Sequence, residues 1–268
     1  MTPVLQYATT PCEASAWRRQ VARAFSRSSE RYTHLAKAQQ QMGESLWPLL
    51  PSRASNVLDL GCGPGHWSRR LAARFGSDCR VVGLDLAPGM LEVACRETSA
   101  HVDWLHADAA ALPLADGQLD LVFSNLVIQW CPDLDGVMTE IHRVLRNGGR
   151  AVINTLGPGT LSEIAQAWSS PQALLDFRSR DRYLACARLA GFSDIHCHEA
   201  TERFFYPDLA AVMDSVKGIG AQTPRPAARL ARSDLARAQR CFEALREPAG
   251  LPVSYQRLTL ILDKEAES

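Results

Sequence analysis

The sequence of 268 residues predicts an α/β fold, with a mainly parallel seven-stranded sheet and helices on both of its faces. Three observations lead to this prediction. From Asn56 onward, short apolar runs alternate with helical stretches, which is the pattern of right-handed βαβ units. A glycine-rich turn follows the first of these runs. Polar residues stand where successive runs end, at the sheet edge that binds ligands in parallel α/β folds.

Helical periodicity comes before the first strand. From Trp17 to Leu50, apolar residues recur at steps of three, four or seven, and arginines occupy the opposite side. Pro48 and Pro51 end this helical region, because proline cannot continue a helix. We interpret residues 1–55 as an N-terminal helical lid.

The middle of the chain, residues 56–155, contains five apolar runs short enough to be strands. We predict strands at Val57–Leu60, Arg80–Asp85, Val102–His106, Leu119–Ser124 and Gly149–Thr155. We predict helices between them at Trp67–Phe75, Pro88–Glu97 and Leu134–Leu145. This stretch is the predicted ligand-binding core.

The remainder, residues 156–268, has a looser pattern and is expected to complete the same domain. Helical stretches are predicted at Leu161–Trp168, Asp181–Leu189, Pro207–Val216 and Ser233–Leu245. Extended stretches are predicted at Ser193–Tyr206 and Val253–Leu262. Two further strands bring the sheet to seven, and the remaining helices form a C-terminal helical insertion.

Composition argues against several classes of protein. Hydrophobic residues make up 46% of the chain and charged residues 22%, as in an ordinary globular domain. No apolar run approaches the roughly 20 residues of a membrane-spanning helix, and no secretory signal is apparent. The formal net charge is zero, which disfavours a nucleic-acid binder. The eight cysteines are scattered, so we predict reduced thiols and a cytoplasmic location.

The glycine-rich turn has the order Asp59-Leu60-Gly61-Cys62-Gly63-Pro64-Gly65. Glycines let the backbone approach a ligand without a Cβ in the way. A dinucleotide fingerprint has the spacing G-x-G-x-x-G, with a pyrophosphate at the helix N-terminus. Here the spacing is one residue shorter. It therefore points to a ligand whose amino-acid portion and ribose lie over the turn.

One polar residue stands at each of the next three strand ends. Asp85 closes the second strand and can accept hydrogen bonds from both hydroxyls of a ribose. Asp108 follows the third strand, where it can accept from an exocyclic adenine amine, and Asn125 follows the fourth. Each residue alone is more often a helix cap. Their order at successive strand ends predicts a nucleoside site.

Residues 56–155 resemble the class I S-adenosylmethionine-dependent methyltransferases. The glycine turn matches the first motif of that family, and Arg146-Asn147-Gly148-Gly149-Arg150 matches a later one. The resemblance implies a Rossmann-like fold, S-adenosylmethionine as cofactor and S-adenosylhomocysteine as product. It also implies that Asp85 binds the ribose, Asp108 the adenine edge, and Gly61 and Gly63 the methionine moiety. The full predicted cofactor-binding set is Asp59, Gly61, Gly63, Gly65, Asp85, Leu86, Asp108, Ala109 and Asn125.

Three flanking segments carry a second resemblance. Phe25–Tyr32, Ser124–Cys131 and Ser215–Ala221 together resemble the malonyl-acyl-carrier-protein O-methyltransferase family of biotin synthesis. The resemblance implies methylation of the free carboxylate of a malonyl group on acyl carrier protein, or on coenzyme A. The acceptor could instead be another small carboxylate or a quinone-type compound. A different class of function is a non-catalytic partner protein that binds S-adenosylmethionine.

Tyr32, Trp130 and Lys217 are the candidate acceptor-site residues. Tyr32 could donate its hydroxyl to the acceptor carboxylate, and Trp130 could be an apolar wall. Lys217 could contact substrate or carrier. All three could equally be packing or solvated residues. The carboxylate clamp is open among three arginines, which are Arg178, Arg180 and Arg182.

Two further features of the sequence bear on partners. Basic residues that could dock an acidic carrier, or simply be solvated, form two sets. They are Arg18, Arg19, Arg23, Arg27 and Arg31 in the first, and Arg225, Arg229, Arg232, Arg237, Arg240 and Arg246 in the second.

We predict no metal site, because alternation on a strand would separate Cys197 from His196 and His198. The sequence leaves the oligomeric state open.

Overall fold

The computed structural model describes residues 11–97, 101–167, 175–217 and 232–266. The helices are α1 (Pro11–Leu35), α2 (Lys37–Glu44), α3 (His66–Phe75), α4 (Pro88–Glu97), α5 (Leu134–Val144), α6 (Ser162–Ala167), α7 (Arg180–Ala190), α8 (Leu209–Lys217) and α9 (Arg232–Ala244). The strands are β1 (Asn56–Leu60), β2 (Arg80–Asp85), β3 (Val102–His106), β4 (Leu119–Asn125), β5 (Leu145–Leu156), β6 (Asp194–Tyr206) and β7 (Leu251–Asp263).

All seven strands belong to one sheet, in the order β3-β2-β1-β4-β5-β7-β6. The first five strands pair in parallel. Strand β7 is antiparallel to both β5 and β6, so the tail adds an antiparallel pair of strands to the open edge of the parallel sheet. The predicted mainly parallel seven-stranded sheet is confirmed.

Hydrophobic clusters lie on both faces of the sheet. On one face, α5 and α7 bury residues such as Ile141 and Tyr183 against the strands. On the other face, α3 and the chain before β1 bury residues such as Trp67 and Leu46. Because both faces are covered, the central strands are buried almost throughout, as is usual for parallel strands. The predicted helices on both faces are therefore confirmed.

A third cluster lies at the β6–β7 end of the sheet. Residues of α2, α6, α8 and α9 pack there against β7, including Met42, Val212, Phe242 and Tyr255. This cluster joins the N-terminal helices to the antiparallel strands β6 and β7. It places segments from opposite ends of the chain beside the carboxyl end of β4.

The region predicted as one helix from Trp17 to Leu50 is two helices and a short 3₁₀ turn. Helix α1 ends at Leu35, and Ala36 leaves the helical conformation with φ −82° and ψ 32°. The side-chain amides of Asn125 and Asn154 then donate to the carbonyls of Gln39 and Met42, both at 2.9 Å. These bonds fix α2 to the sheet in a direction that a straight continuation of α1 would not allow.

Candidate functional site

The carboxyl ends of β1, β2 and β4 meet beneath α1 and enclose a first cavity of about 770 Å³. Gly61 and Gly63 form its floor, and Asp85, Asp108 and Asn125 provide polar groups from successive strand ends. The structure thus brings together residues that the sequence placed at separate βα junctions.

The three glycines of the turn have different surroundings. A Cβ on Gly61 would lie 2.2 Å from Val127, and one on Gly65 would lie 2.5 Å from Trp104. A Cβ on Gly63 would meet only Tyr32, at 4.0 Å. All three residues have positive φ, which favours glycine in each case. Packing therefore fixes Gly61 and Gly65, whereas Gly63 opens toward the first cavity.

Two carboxyl groups support the turn, of which Asp59 is buried and Asp85 is partly buried. Asp85 accepts hydrogen bonds from the backbone N–H groups of Gly63 at 2.9 Å and Ala87 at 2.8 Å. Asp59 accepts from the hydroxyl of Ser68 at 2.5 Å and does not line the first cavity. Burial raises the pKa of Asp85, and it raises the pKa of Asp59 to about 7 despite the Ser68 bond.

The far end of the first cavity is closed by an ion pair. The guanidinium of Arg18, on α1, lies 2.9 Å from the carboxylate of Asp108. The other Asp108 oxygen accepts from the backbone N–H of Ala110 at 3.0 Å. Asp108 is thus held at the cavity wall from both sides. Arg18 points into the site and does not belong to the exposed basic face that was predicted for α1.

Helix α1 is fastened across the first cavity at other points as well. The indole N–H of Trp17 donates to the carbonyl of Trp130 at 2.9 Å. The backbone N–H of Gly89, in α4, donates to the hydroxyl of Ser26 at 3.2 Å. A Cβ on Gly89 would lie 2.8 Å from the carbonyl of Ser26, so glycine permits this close approach.

A second cavity of about 580 Å³ adjoins the first. The two cavities share Leu126 and three aromatic residues, Phe25, Tyr32 and Trp130, which we call the aromatic partition. The rings of Phe25 and Trp130 meet edge to face, with centroids 5.4 Å apart. Burial and the charge of Asp85 raise the pKa of Tyr32, so its hydroxyl keeps its proton and can donate.

The predicted site residues fall into three groups. Gly61, Gly63, Asp85, Leu86, Asp108, Ala109, Asn125, Tyr32 and Trp130 line the first cavity, and the last two also line the second. Asp59 and Gly65 lie behind the turn and line neither cavity. Lys217 is the last residue of α8, and its side chain lies outside the described part of the structure, as do residues 218–221.

Several residues of the two cavities were not identified from the sequence, and three of them matter most for the site. Leu126 lies in the loop after β4, Gln39 on α2 and Tyr255 on β7. Gln39 and Tyr255 reach the second cavity from opposite ends of the chain. No local spacing links them, and only the position of Leu126 next to Asn125 offered a signal.

The three candidate clamp arginines have separate partners. Arg180 lies 3.2 Å from Glu199, and Arg182 lies 2.6 Å from Asp135. Arg178 donates to the carbonyls of Cys131 at 2.7 Å, Pro132 at 3.3 Å and Gln129 at 3.5 Å. It therefore holds the loop that carries Trp130.

The segment His196-Cys197-His198 lies on β6, an edge strand of the sheet. His196 pairs with Asp194 at 3.0 Å on an exposed part of β6. Within the described ranges, no group of three or more His, Cys, Asp or Glu residues is arranged to hold a metal ion. No helix in those ranges is both long and apolar enough to cross a membrane.

Comparison with known proteins gives matches over most of the chain. Residues 58–153 match a family described as a methyltransferase domain. A malonyl-[acyl-carrier protein] O-methyltransferase of Pectobacterium atrosepticum is 38% identical over 245 residues, which cover 88% of this chain and 92% of that protein.

Two further matches extend the comparison. The biotin biosynthesis bifunctional protein BioHC of Cellvibrio japonicus is 34% identical over 255 residues, which are 92% of this chain and 50% of that protein. The chain thus spans half the length of this bifunctional relative. The crystal structure of the YcgJ protein of Bacillus subtilis covers 86% of this chain and 98% of its own, with a TM-score of 0.59 and 18% identity, and shows the same fold.

Proposed function

This chain belongs to the malonyl-[acyl-carrier protein] O-methyltransferases, and from that membership we propose that it methylates the free carboxylate of a malonyl thioester on acyl carrier protein. The chain is an S-adenosylmethionine-dependent methyltransferase. One observation carries the proposal for the acceptor. A second cavity, whose described lining is uncharged, meets the first at the aromatic partition, where a methyl group and a carboxylate can be brought together.

The first cavity has the features that S-adenosylmethionine needs. Open space above Gly63 admits the amino-acid portion of the cofactor beside the backbone. The carboxylate of Asp85 suits the two ribose hydroxyls, and Asp108 suits the adenine amine. Leu86, Met90 and Ala109 supply apolar surface for the adenine ring.

The reaction requires little from ionisable side chains. When bound, S-adenosylmethionine supplies a methyl group on a positively charged sulfur. An electron pair of the carboxylate oxygen forms the new C–O bond, and the sulfur retains the pair of the broken C–S bond. A neutral methyl ester and a neutral thioether result. Since a malonyl carboxylate is already ionised at neutral pH, no general base is needed.

The second cavity is suited to this loss of charge. Its described lining contains no charged side chain. The hydroxyl of Tyr32 can hold one carboxylate oxygen, while Phe25 and Trp130 exclude water from the reacting atoms. A carboxylate held by a hydrogen bond keeps more of its nucleophilicity than one paired with a cation. Arg178 contributes by fixing the Trp130 loop.

Acyl carrier protein is the proposed partner, with malonyl-coenzyme A as the alternative form of the acceptor. Arg19, Arg23, Arg27 and Arg31 are exposed and repeat every fourth residue of α1, so they share one face. Arg19 bonds to Ser15, and Arg31 lies 3.7 Å from Asp214. An acidic carrier fits this face of α1, the helix that also covers both cavities.

The proposal also covers the roles of the three parts of the chain and the cellular location of the enzyme. We propose that residues 1–55 act as the lid, residues 56–155 hold the cofactor, and residues 156–268 complete the same domain. We also propose a cytoplasmic location. The seven cysteines whose side chains the structure describes are all free, which supports a reducing compartment.

The decisive experiment incubates the enzyme and methyl-labelled S-adenosylmethionine with malonyl carrier protein. We expect label on the carrier, released by mild base as an ester should be. Acetyl carrier protein, which lacks the free carboxylate, is the matched control. Transfer to another small carboxylate or a quinone precursor, with none to malonyl carrier, would move the assignment to a different acceptor. Binding of S-adenosylhomocysteine without transfer to any of them would favour a non-catalytic partner protein.

A further inference from the structure

The second cavity contains two buried hydrogen-bonding groups that lack partners. The hydroxyl of Tyr255 and the amide oxygen of Gln39 accept or donate no hydrogen bond among the described residues. Tyr255 is 3% exposed and Gln39 is 9% exposed. Burial raises the pKa of Tyr255, so its hydroxyl keeps its proton. Gln39 and Ser215 lie near that hydroxyl, but neither is in hydrogen-bonding geometry with it.

Such groups are costly unless something else completes them. Leaving a buried polar group without a partner costs about 1–3 kcal/mol, and folded proteins contain few of them. The other amide in the same cavity is satisfied. Gln129 donates to the carbonyl of Leu126 at 2.8 Å and accepts from the hydroxyl of Thr155 at 3.2 Å. The missing partners are therefore specific to Gln39 and Tyr255.

Backbone strain is found at the same cavity. Leu126 has φ 60° and Leu161 has φ 58°, and they are the two non-glycine residues with positive φ in the described ranges. Both line the second cavity. Strain of this kind costs about 1–3 kcal/mol per residue and clusters at ligand sites. The orphan groups and the strained leucines both mark the second cavity as a ligand site.

Position along the cavity indicates which part of a ligand would meet these groups. Methyl transfer requires the acceptor carboxylate to lie at the aromatic partition. Gln39 and Tyr255 line the second cavity but not the first, so they lie beyond the aromatic partition. Beyond its carboxylate, a malonyl thioester carries a methylene group and then a carbonyl oxygen. The next polar group on a cysteamine arm is an amide N–H.

We propose that Tyr255 and Gln39 bind these two groups of the acceptor, an inference that rests on the proposed function. The hydroxyl of Tyr255 donates to the thioester carbonyl oxygen. The amide oxygen of Gln39 accepts from the N–H of the cysteamine arm. Each orphan atom thereby gains a partner of opposite hydrogen-bonding type. Because the carboxylate is held at the aromatic partition and the carbonyl beyond it, the site selects an acceptor with the carboxylate-to-carbonyl spacing of a malonyl unit.

The role of Tyr255 is tested with two small acceptors. One is malonyl-N-acetylcysteamine. The other is its S-(2-carboxyethyl) thioether, in which a methylene replaces the thioester carbonyl. For the wild-type enzyme, we expect kcat/KM to be about tenfold higher with the malonyl thioester. Tyr255→Phe should lose that preference by slowing the malonyl reaction alone. Tyr206→Phe, in the neighbouring strand and outside both cavities, should keep it.

The role of Gln39 is tested with an acceptor that lacks the amide. S-pentyl malonyl thioester keeps the carboxylate and carbonyl of malonyl-N-acetylcysteamine but has no N–H. Gln39→Leu should slow the reaction of the amide-containing acceptor several-fold and leave S-pentyl malonyl thioester unchanged. The affinity for S-adenosylhomocysteine, measured by calorimetry, should be unchanged in both variants.

The outcomes separate the two levels of the proposal. If a variant lost the same activity on both acceptors of its pair, or lost activity on neither, the assignment of that residue would be overturned. The proposed function would remain. If the wild-type enzyme methylated neither these acceptors nor malonyl carrier protein, the proposed function would fail. A parallel fall in S-adenosylhomocysteine affinity would assign Tyr255 and Gln39 a purely structural role.

Discussion

The two cavities are built in different ways. The first cavity takes Asp85, Asp108 and Asn125 from successive strand ends within one continuous part of the chain, and α1 adds Arg18 and Tyr32 from above. The second cavity takes its lining from helices at the N-terminal end, from loops in the middle and from the last strand. Cofactor binding is thus a property of the sheet topology. Acceptor binding, as proposed for the second cavity, would depend on how distant segments pack against one another.

The largest expected effect concerns Asp59, which lies beneath the first cavity. Its pKa rises from 3.8 to about 7 on folding because of burial. The folded chain therefore holds a proton that the unfolded chain has lost, so this residue's contribution to stability is present below pH 4 and falls as pH rises to 7. Asp59→Asn should remove that dependence. Relative to Asp59→Asn, the wild-type enzyme should lose on the order of 4 kcal/mol between pH 4 and pH 8.

Urea unfolding of both proteins at several pH values measures this difference. Raised pKa values elsewhere, such as that of Asp85, are common to both proteins and largely cancel. Parallel stability curves would show that the Asp59 carboxyl is not held in its neutral form by burial.

The second prediction compares two glycines of the same turn. Gly61→Ala places a Cβ 2.2 Å from Val127 and should cost about 3 kcal/mol of stability, from overpacking and positive-φ strain. Gly63→Ala meets open space, so strain alone should cost about 1–2 kcal/mol, while the new methyl group obstructs the cofactor. Thermal unfolding measures the stability of the two variants, and calorimetry with S-adenosylhomocysteine measures their affinity for the cofactor product. The reverse pattern would mean that Gly61 is the residue closest to the cofactor.

The third prediction addresses the ribose contact. Asp85→Asn removes the negative charge and places an N–H₂ group against the donors of Gly63 or Ala87. The affinity for S-adenosylhomocysteine should fall about 100-fold, as expected when two charged hydrogen bonds are lost. Affinity should also fall in the wild-type enzyme as pH drops, because the pKa of Asp85 is raised. Asp103→Asn, on the exposed end of the neighbouring strand, is the control.

The fourth prediction moves to the acceptor side. Arg178→Met frees the carbonyls of Cys131 and Pro132, so kcat/KM for malonyl thioesters should fall about tenfold, with little change in cofactor affinity. In Arg178→Lys, kcat/KM for malonyl thioesters should fall nearly as far, because an ammonium group cannot bridge these carbonyls. Full activity in the lysine variant would point instead to a charge that contacts the substrate. Arg182→Met, on the same segment, provides the comparison.

The smallest effect is expected at the surface. Arg23→Ala combined with Arg27→Ala should raise KM for malonyl carrier protein about threefold at low salt, because exposed charges act mainly on encounter. The difference should vanish at high salt. Malonyl-N-acetylcysteamine should be unaffected. An equal rise for that small acceptor would rule out carrier docking on this face of α1.

The difference between the cavities also explains what the sequence could predict. The turn and the residues Asp85, Asp108 and Asn125 stand at the ends of apolar runs, so local pattern and sheet topology suffice to bring them together. Gln39 gave no such signal, since it lies on a helix whose direction depends on bonds from Asn125 and Asn154.

Two other features depended on tertiary contacts in the same way. Arg18 has the spacing of a surface arginine, and only the approach of α1 to β3 turns it toward Asp108. Arg178 has the charge expected of a carboxylate clamp, yet backbone carbonyls occupy its donors. In both cases the residue type was informative, but its partner was fixed by folding.

Helix α1 forms a wall of both cavities through Phe25 and Tyr32. A movement of this helix that exposes one ligand therefore exposes the other. If α1 moves as the proposed lid, the departure of spent cofactor and the arrival of fresh acceptor would be linked to a single conformational rate. At saturating substrate, turnover would then follow the frequency with which the helix lifts, and raising solvent viscosity would slow the release of both products together.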